Sequence, residues 1–164
     1  MNTSAAKDPH LSLVLQQLVE NSQKHRTLWI VDENLPIESV MTVPGAASLT
    51  AMSNRYDIHA ALQARGVESL LSDFDFSPLG EFQRIVYRLS KEKLVAHHCI
   101  NQAIRHLSPD GELVVIGGKQ DGVKSIAKNA AQIYGQKNTT RKVGSSYLAT
   151  FTGAVSLAQD KRLP

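Results

Sequence analysis

Apolar and polar positions along the chain repeat with two periods, and the two alternate. Leu11, Val14, Leu15, Leu18 and Val19 recur at spacings of three and four, which predicts an amphipathic helix running to about Ser22. Asp8-Pro9 supplies its N-cap and first helical residue. Thr27-Leu28-Trp29-Ile30-Val31 is then a short β-branched and aromatic run that reads as a strand ending at Asp32, and Pro36, Pro44 and Gly45 mark a turn-rich passage after it. A second strand is expected over residues 48–52. Asn54 is placed to cap a helix through Arg65 with Ile58, Ala61 and Leu62 facing inward, and Gly66 is a left-handed stop. Residues 68–71 predict a third strand, and 73–80 a loop.

The pattern is clearest between Gln83 and Lys119. Ile85-Val86-Tyr87 predicts a strand, Ser90 offers an N-cap oxygen, and Leu94, Ile100, Ala103, Ile104 and Leu107 follow near helical period. Pro109-Asp110-Gly111 reads as a turn, and Leu113-Val114-Val115-Ile116 is an apolar run too short for a buried helix. Strand, helix and strand form a βαβ unit, whose strands should lie parallel with helices over both faces of the sheet.

Past Lys119, Asp121 can cap a helix with Val123, Ile126, Ala127, Ala130, Ile133 and Tyr134 inward, ending at Gly135. Residues 138–145 are polar and basic, 147–152 predict a final strand, and 153–164 resemble an interdomain linker. Alternation of β and α along the whole chain predicts an α/β fold, a Rossmann-like three-layer sandwich with a mostly parallel sheet.

Length and composition narrow the class. A chain of 164 residues, 42% hydrophobic and 20% charged, is long enough for one core and has the make-up of an ordinary globular protein. No apolar run approaches the length that spans a bilayer, the first ten residues carry no export signal, and the single Cys99 rules out an internal disulfide, so a reducing cytoplasm is expected. Net charge is only +3, yet Lys119, Lys124, Lys128, Lys137, Arg141 and Lys142 are opposed between residues 119 and 142 by Asp121 alone. A local basic face of this kind attracts polyanions, although such runs are more often simply solvated.

Residues arranged for catalysis are few in this sequence. A nucleotide-binding version of the fold needs glycine in its first turn, where backbone approaches phosphate or ribose. Here that turn is Asp32-Glu33-Asn34-Leu35-Pro36. Gly117-Gly118-Lys119-Gln120-Asp121-Gly122 stands where such folds open their ligand crevices, but it fits neither phosphate-binding fingerprint, because Leu113 and Gln120 occupy required positions. Its glycines are better suited to a tight strand-to-helix turn. His97-His98-Cys99 lie about 100° apart on a helix and cannot converge on one metal ion. His59 is expected on a helix surface, and Asp32 is expected to cap the turn that follows it. No Ser stands in a nucleophile elbow, and no carboxylate pair has a context for general acid–base work.

The stretch IVYRLSKEKLVAHHCINQAIRHLSPDGELVVIGGKQDGVKSIAKNAAQIYG, followed by the basic TTRKVGSSYLATF, resembles the amino-terminal half of the C-type guanine-N2 methyltransferases of small-subunit ribosomal RNA, in the "methyltransferase small" superfamily. The similarity covers roughly Phe82 to Phe151, and the first eighty residues follow only in element order. In that family two Rossmann-like class I methyltransferase halves lie in tandem. The carboxyl-terminal half binds S-adenosylmethionine and carries an Asn-Pro-Pro-Phe/Tyr motif; the amino-terminal half is a degenerate copy. No Asn-Pro-Pro occurs in this chain.

The resemblance implies a non-catalytic accessory domain at residues 1–153 and a linker at 154–164 leading to a catalytic methyltransferase domain outside this chain. It implies no catalytic, cofactor-binding or metal-binding residue here, with S-adenosylmethionine held by the full-length enzyme. Small-subunit ribosomal RNA is the expected partner, through Lys119, Lys124, Lys128, Arg141 and Lys142. Two other possibilities are a stand-alone enzyme with S-adenosylmethionine or a nucleotide near Asp32 and Gly117, and a domain whose apolar helix faces serve only self-association or domain contact. Aromatic residues make up only 5%, so no exposed platform for base stacking is expected.

Overall fold

A computed structural model describes residues 9–21, 26–43, 48–118, 122–126, 128 and 137–152. Seven strands form one sheet: β1 (Thr27–Ile30), β2 (Leu49–Ser53), β3 (Glu68–Leu71), β4 (Phe82–Arg88), β5 (Leu107–Gly117), β6 (Lys137–Val143) and β7 (Ser146–Thr152). Their spatial order is β3-β2-β1-β4-β5-β7-β6. The first five are parallel, and β7 runs antiparallel to both of its neighbours.

Side chains alternate across this sheet and feed two cores. Leu28, Ile30, Ile85, Tyr87, Leu113 and Val115 face helix α3 (Lys93–Arg105), which buries Ala96, Cys99, Ile100, Ala103 and Ile104 against them. Trp29, Val86, Val114 and Ile116 point to the other face, which is covered by α1 (Pro9–Asn21), a 3-10 helix over Ile37–Thr42, and α2 (Tyr56–Ala64). The expected α/β three-layer sandwich is therefore the observed one. On α1, Leu11, Val14, Leu15 and Leu18 are buried as their spacing requires. Arg84 locks that helix to the sheet: its Nε donates to Glu112 at 2.9 Å, and its other nitrogens donate to the Gln17 backbone carbonyl at 2.8 Å and to the Gln17 side-chain oxygen.

Several local expectations are corrected. Pro109-Asp110-Gly111 forms no turn but lies inside β5, in a bulge where the step from Phe82 to Arg84 is matched by the longer step from Leu107 to Glu112. Gly111 is required there, since a Cβ would stand 3.0 Å from the Gln83 carbonyl oxygen and 3.1 Å from that of Phe82. The stretch 138–145, whose polarity carries no strand signal, is mostly strand: β6 is an edge strand, hydrogen-bonded only to β7 among the described residues, and its polar side chains at 139–142 face solvent. It returns through Gly144 at φ 61, a left-handed conformation that suits a two-residue hairpin turn.

Helix starts also shift. The N-cap of α2 is Arg55 rather than Asn54, and that of α3 is Glu92 rather than Ser90; neither cap has a side-chain hydrogen bond. Ser90 instead accepts the Glu92 N–H at 3.0 Å, one step before the helix. Leu94, expected inward, is 87% exposed, because it lies about 200° around α3 from Ala96. Gly66 does end α2 in the left-handed region, at φ 82. Asp8, Ser22, Pro44, Gly45, Asp121, Ala127, Ala130, Ile133, Tyr134, Gly135, residues 154–164 and the side chain of Val19 lie outside what is described.

Candidate functional site

Parallel α/β sheets bind ligands in the crevice at the carboxyl ends of their strands. In this chain that edge is spanned by its own side chains. Asp32 follows β1, Arg88 ends β4, and the two meet in a bidentate pair with Nε to Oδ1 at 3.0 Å and Nη2 to Oδ2 at 2.7 Å. Both are buried, with 3% and 8% of their surface exposed. Asp32 also accepts the Asn34 N–H at 3.2 Å, so it caps the following turn as expected, but the ion pair is its larger role. Charge-assisted bidentate bonds of this type hold two elements in fixed register.

The rest of the edge is tied together around that pair. Ser90 Oγ donates to Glu33 Oε2 at 2.7 Å, and the Ser90 N–H donates to the Tyr87 hydroxyl at 3.1 Å. Arg55 reaches from the end of β2 to donate to the Leu35 carbonyl at 2.6 Å and that of Glu33 at 3.4 Å, while its remaining nitrogens grip Asp57. Hydrogen bonding from Arg55 holds the exposed Asp57 carboxyl below its ordinary pKa. Beneath this layer, burial pushes the Tyr87 hydroxyl far up and the Cys99 thiol up to about 12, which keeps the thiol protonated and unreactive. Glu33 Oε1 is buried without a hydrogen-bond partner.

The His97-His98-Cys99 stretch diverges on α3. His97 is exposed, His98 Nε2 is hydrogen-bonded to the Phe74 carbonyl at 2.7 Å, and Cys99 is buried. That bond meets a residue in an unfavourable backbone region, since Phe74 has φ 61. His59 is half-buried and bonded to Ser69 Oγ at 2.8 Å, more enclosed than a surface helix residue. Among the described residues, no group of three or more His, Cys, Asp or Glu is arranged to hold a metal ion.

The basic residues are divided by the sheet. Lys124 is exposed, and its Nζ sits 4.8 Å from the centroid of the Tyr147 ring. Lys142 pairs with Tyr147 across the β6–β7 ladder and so shares its face, the one carrying α3. Lys128 is exposed one helical turn after Lys124. Arg141 pairs with Leu148, whose side chain enters the opposite core, so Arg141 projects from the other face. Lys119 lies outside the described residues. Of the five expected cations, Lys124 and Lys142 are thus set beside Tyr147, and Arg141 is turned away.

Strand order, parallel core and antiparallel β7 define the class: a Rossmann-like α/β sandwich of methyltransferase type. Solved structures share this fold, including the 16S rRNA N2 methyltransferase of Thermus thermophilus in complex with AdoMet and guanosine (TM-score 0.61, 15% identity, 90% of this chain and 43% of that one). Another is an N-methyltransferase of Bradyrhizobium japonicum in complex with S-adenosyl-L-homocysteine (TM-score 0.62, 14% identity, 91% and 90%). A model of the family "Methyltransferase small domain N-terminal" matches residues 40–145. The chain belongs to that family. Ribosomal RNA small subunit methyltransferase C of Shewanella pealeana is 29% identical over 120 residues, covering 69% of this chain and 34% of the relative. The protein of the same name from Shewanella loihica is 45% identical over 47 residues, 29% of this chain and 14% of the relative. The chain spans about a third of the length of the curated relatives it matches along most of its own length. No described helix is long and apolar enough to cross a membrane.

Proposed function

We propose that this chain is the amino-terminal accessory domain of an S-adenosylmethionine-dependent guanine-N2 methyltransferase acting on small-subunit ribosomal RNA in the cytoplasm. Residues 1–153 form the domain, and 154–164 lead toward the catalytic half. By itself the domain is catalytically inert; it supports RNA binding and the stability of its partner.

The observation that carries this function is the buried Asp32–Arg88 pair at the strand-end crevice. The residues there do not fit S-adenosylmethionine. A nucleoside needs backbone exposed by glycine in the first turn and polar groups left open to it. Here the turn carries acidic and bulky side chains, Asp32 is paired with Arg88, Arg55 and Ser90 are bonded to backbone and to one oxygen of Glu33 respectively, and the other Glu33 oxygen is buried away from the surface. No catalytic step passes through this chain.

RNA engagement falls to Lys124, Lys128 and Lys142 on one face, with Arg141 and Lys119 as further phosphate contacts. Lysines of this kind add affinity through counterion release without reading sequence. The test is RNA affinity as a function of salt for the domain joined to its catalytic half. Alanine at Lys124, Lys128 and Lys142 together should lower affinity and flatten the logarithmic salt dependence by about 0.7–0.9 for each phosphate no longer neutralised. An unchanged slope refutes the RNA role.

A further inference from the structure

The described aromatic side chains are nearly all enclosed. Trp29, Phe74, Phe76, Phe82, Tyr87 and Phe151 are buried in the two cores, and only Tyr56 and Tyr147 reach solvent. Their electrostatic settings differ. Tyr56 stands between Arg55 and Asp57, which are paired with each other. Tyr147 belongs to a stretch, residues 122–152, that holds Lys124, Lys128, Lys137, Arg141 and Lys142 and contains no Asp or Glu.

The sheet fixes what surrounds this ring. Tyr147 lies opposite Gly117 on β5 and Lys142 on β6. Directly opposed residues are close enough for their side chains to touch, but Gly117 has none, so the one side chain beside Tyr147 in its row of the sheet is a lysine. The ring is half-buried and packs against the core on the α3 face. Lys124 reaches it from the segment after β5, with Nζ 4.8 Å from the ring centroid. Among the described residues, no carboxylate pairs with Lys124 or Lys142.

Two interactions compete for such a ring. A lysine ammonium over an exposed aromatic face favours the contact by about 2–5-fold in an equilibrium. A nucleic-acid base stacked on an aromatic side chain contributes about 5–150-fold. The base wins. Lys124 is exposed and its stem is flexible, so its ammonium can leave the ring for a neighbouring phosphate without desolvation. A tyrosine ring turns on only two torsions, so ordering it against a ligand costs little.

We infer that Tyr147 stacks one unpaired base of the RNA, with Lys124 and Lys142 taking the phosphates on either side of it. The inference rests on the RNA role proposed above and deepens it. A base is free to lie on a protein ring where it is unstacked from its neighbours, so this face takes single-stranded RNA in preference to duplex. The contact is a single ring and not an extended platform, and stacking of this kind tolerates any base.

The experiment titrates the purified chain at low salt with a labelled oligoadenylate of about eight nucleotides and with a labelled abasic strand of the same length, by fluorescence anisotropy. The two carry the same phosphates, and one of them carries bases. The chain should bind the oligoadenylate at least about fivefold more tightly. Tyr147→Leu should abolish that preference while leaving affinity for the abasic strand unchanged, and Tyr147→Phe should retain it. A readout that needs no variant is the NMR signal of the Tyr147 ring protons, which should move upfield with saturating oligoadenylate and not with the abasic strand. Equal affinity for the two strands, a preference that survives Tyr147→Leu, or ring protons that do not move overturns the inference and leaves the lysines as RNA contacts. Absence of binding to either strand removes the RNA role and this inference with it.

Discussion

Replacing Arg88 with Met leaves the Asp32 carboxylate buried at the strand ends without its counter-ion. Asp32 is 3% exposed and would retain the Asn34 N–H, at 3.2 Å, in place of a bidentate cation. Breaking a buried pair from one side costs about 3–5 kcal/mol, because the surviving charge stays desolvated. For a domain of this size each kcal/mol lowers the melting temperature by roughly 2–4 °C, so a fall of about 6–20 °C is expected in a thermal scan. Replacing both partners, Asp32→Leu with Arg88→Met, removes the charges together. Exchanging a buried pair for packed apolar groups is neutral or stabilising by about 1–4 kcal/mol, so the double variant should recover most of the loss. A complete double-mutant cycle by urea unfolding measures the coupling. Loss of less than about 1 kcal/mol in Arg88→Met would place the pair among weak, solvent-screened contacts and refute the buried-charge reasoning. So would a double variant no better than the single one.

Other consequences follow from particular contacts. Arg84→Met should detach α1, costing about 3 kcal/mol as its charge-assisted bonds to Gln17 and Glu112 are lost, and amide exchange in residues 10–18 should accelerate before that in β4. Gly111→Ala should destabilise by about 1–3 kcal/mol in chemical denaturation, since three backbone oxygens lie within 3.1 Å of the added carbon. Asp57 should titrate below its ordinary value in NMR and move back toward it in Arg55→Ala. A carboxyl lowered on folding stabilises above its unfolded pKa, and that contribution fades as pH falls through the folded value, so any effect of this exposed group appears only in acid. Cys99, with its thiol pushed up to about 12 and buried, should resist alkylation at neutral pH until the chain unfolds.

What the sequence discloses depends on how local the cause is. The strand at Thr27–Ile30, the stripe through Leu11 and Leu18, and the left-handed stop at Gly66 are fixed by neighbours a few residues away, and each stands where periodicity puts it. The strand over Lys137–Val143 carries no signal because an edge strand can keep polar side chains in water, and only its pairing with Ser146–Thr152 reveals it. Pro109-Asp110-Gly111 has the composition of a turn but is drawn into β5 by the backbone of Gln83 and Phe82. The edge network is hardest to read. Asp32 stands out at a strand's end, but Arg88 lies 56 positions away and carries no motif of its own; the parallel β1–β4 pairing brings them together. One signal is available: an Arg directly after the apolar run Ile85-Val86-Tyr87 of a central strand needs a partner. Charge marks the basic residues, but it cannot show that Lys142 and Arg141 leave opposite faces, which follows from strand alternation once β6 is recognised.

Calorimetric titration of the purified chain with S-adenosylmethionine, alongside a small-subunit ribosomal RNA fragment at low and moderate salt, tests the accessory function most directly. An edge closed by Asp32 and Arg88 together with a basic face at Lys124 and Lys142 predicts no heat from the cofactor and RNA binding that weakens as salt rises. Saturable binding of S-adenosylmethionine at the strand ends, lost on substitution in the Asp32 turn, would contradict it and make the chain a cofactor-binding enzyme domain in its own right.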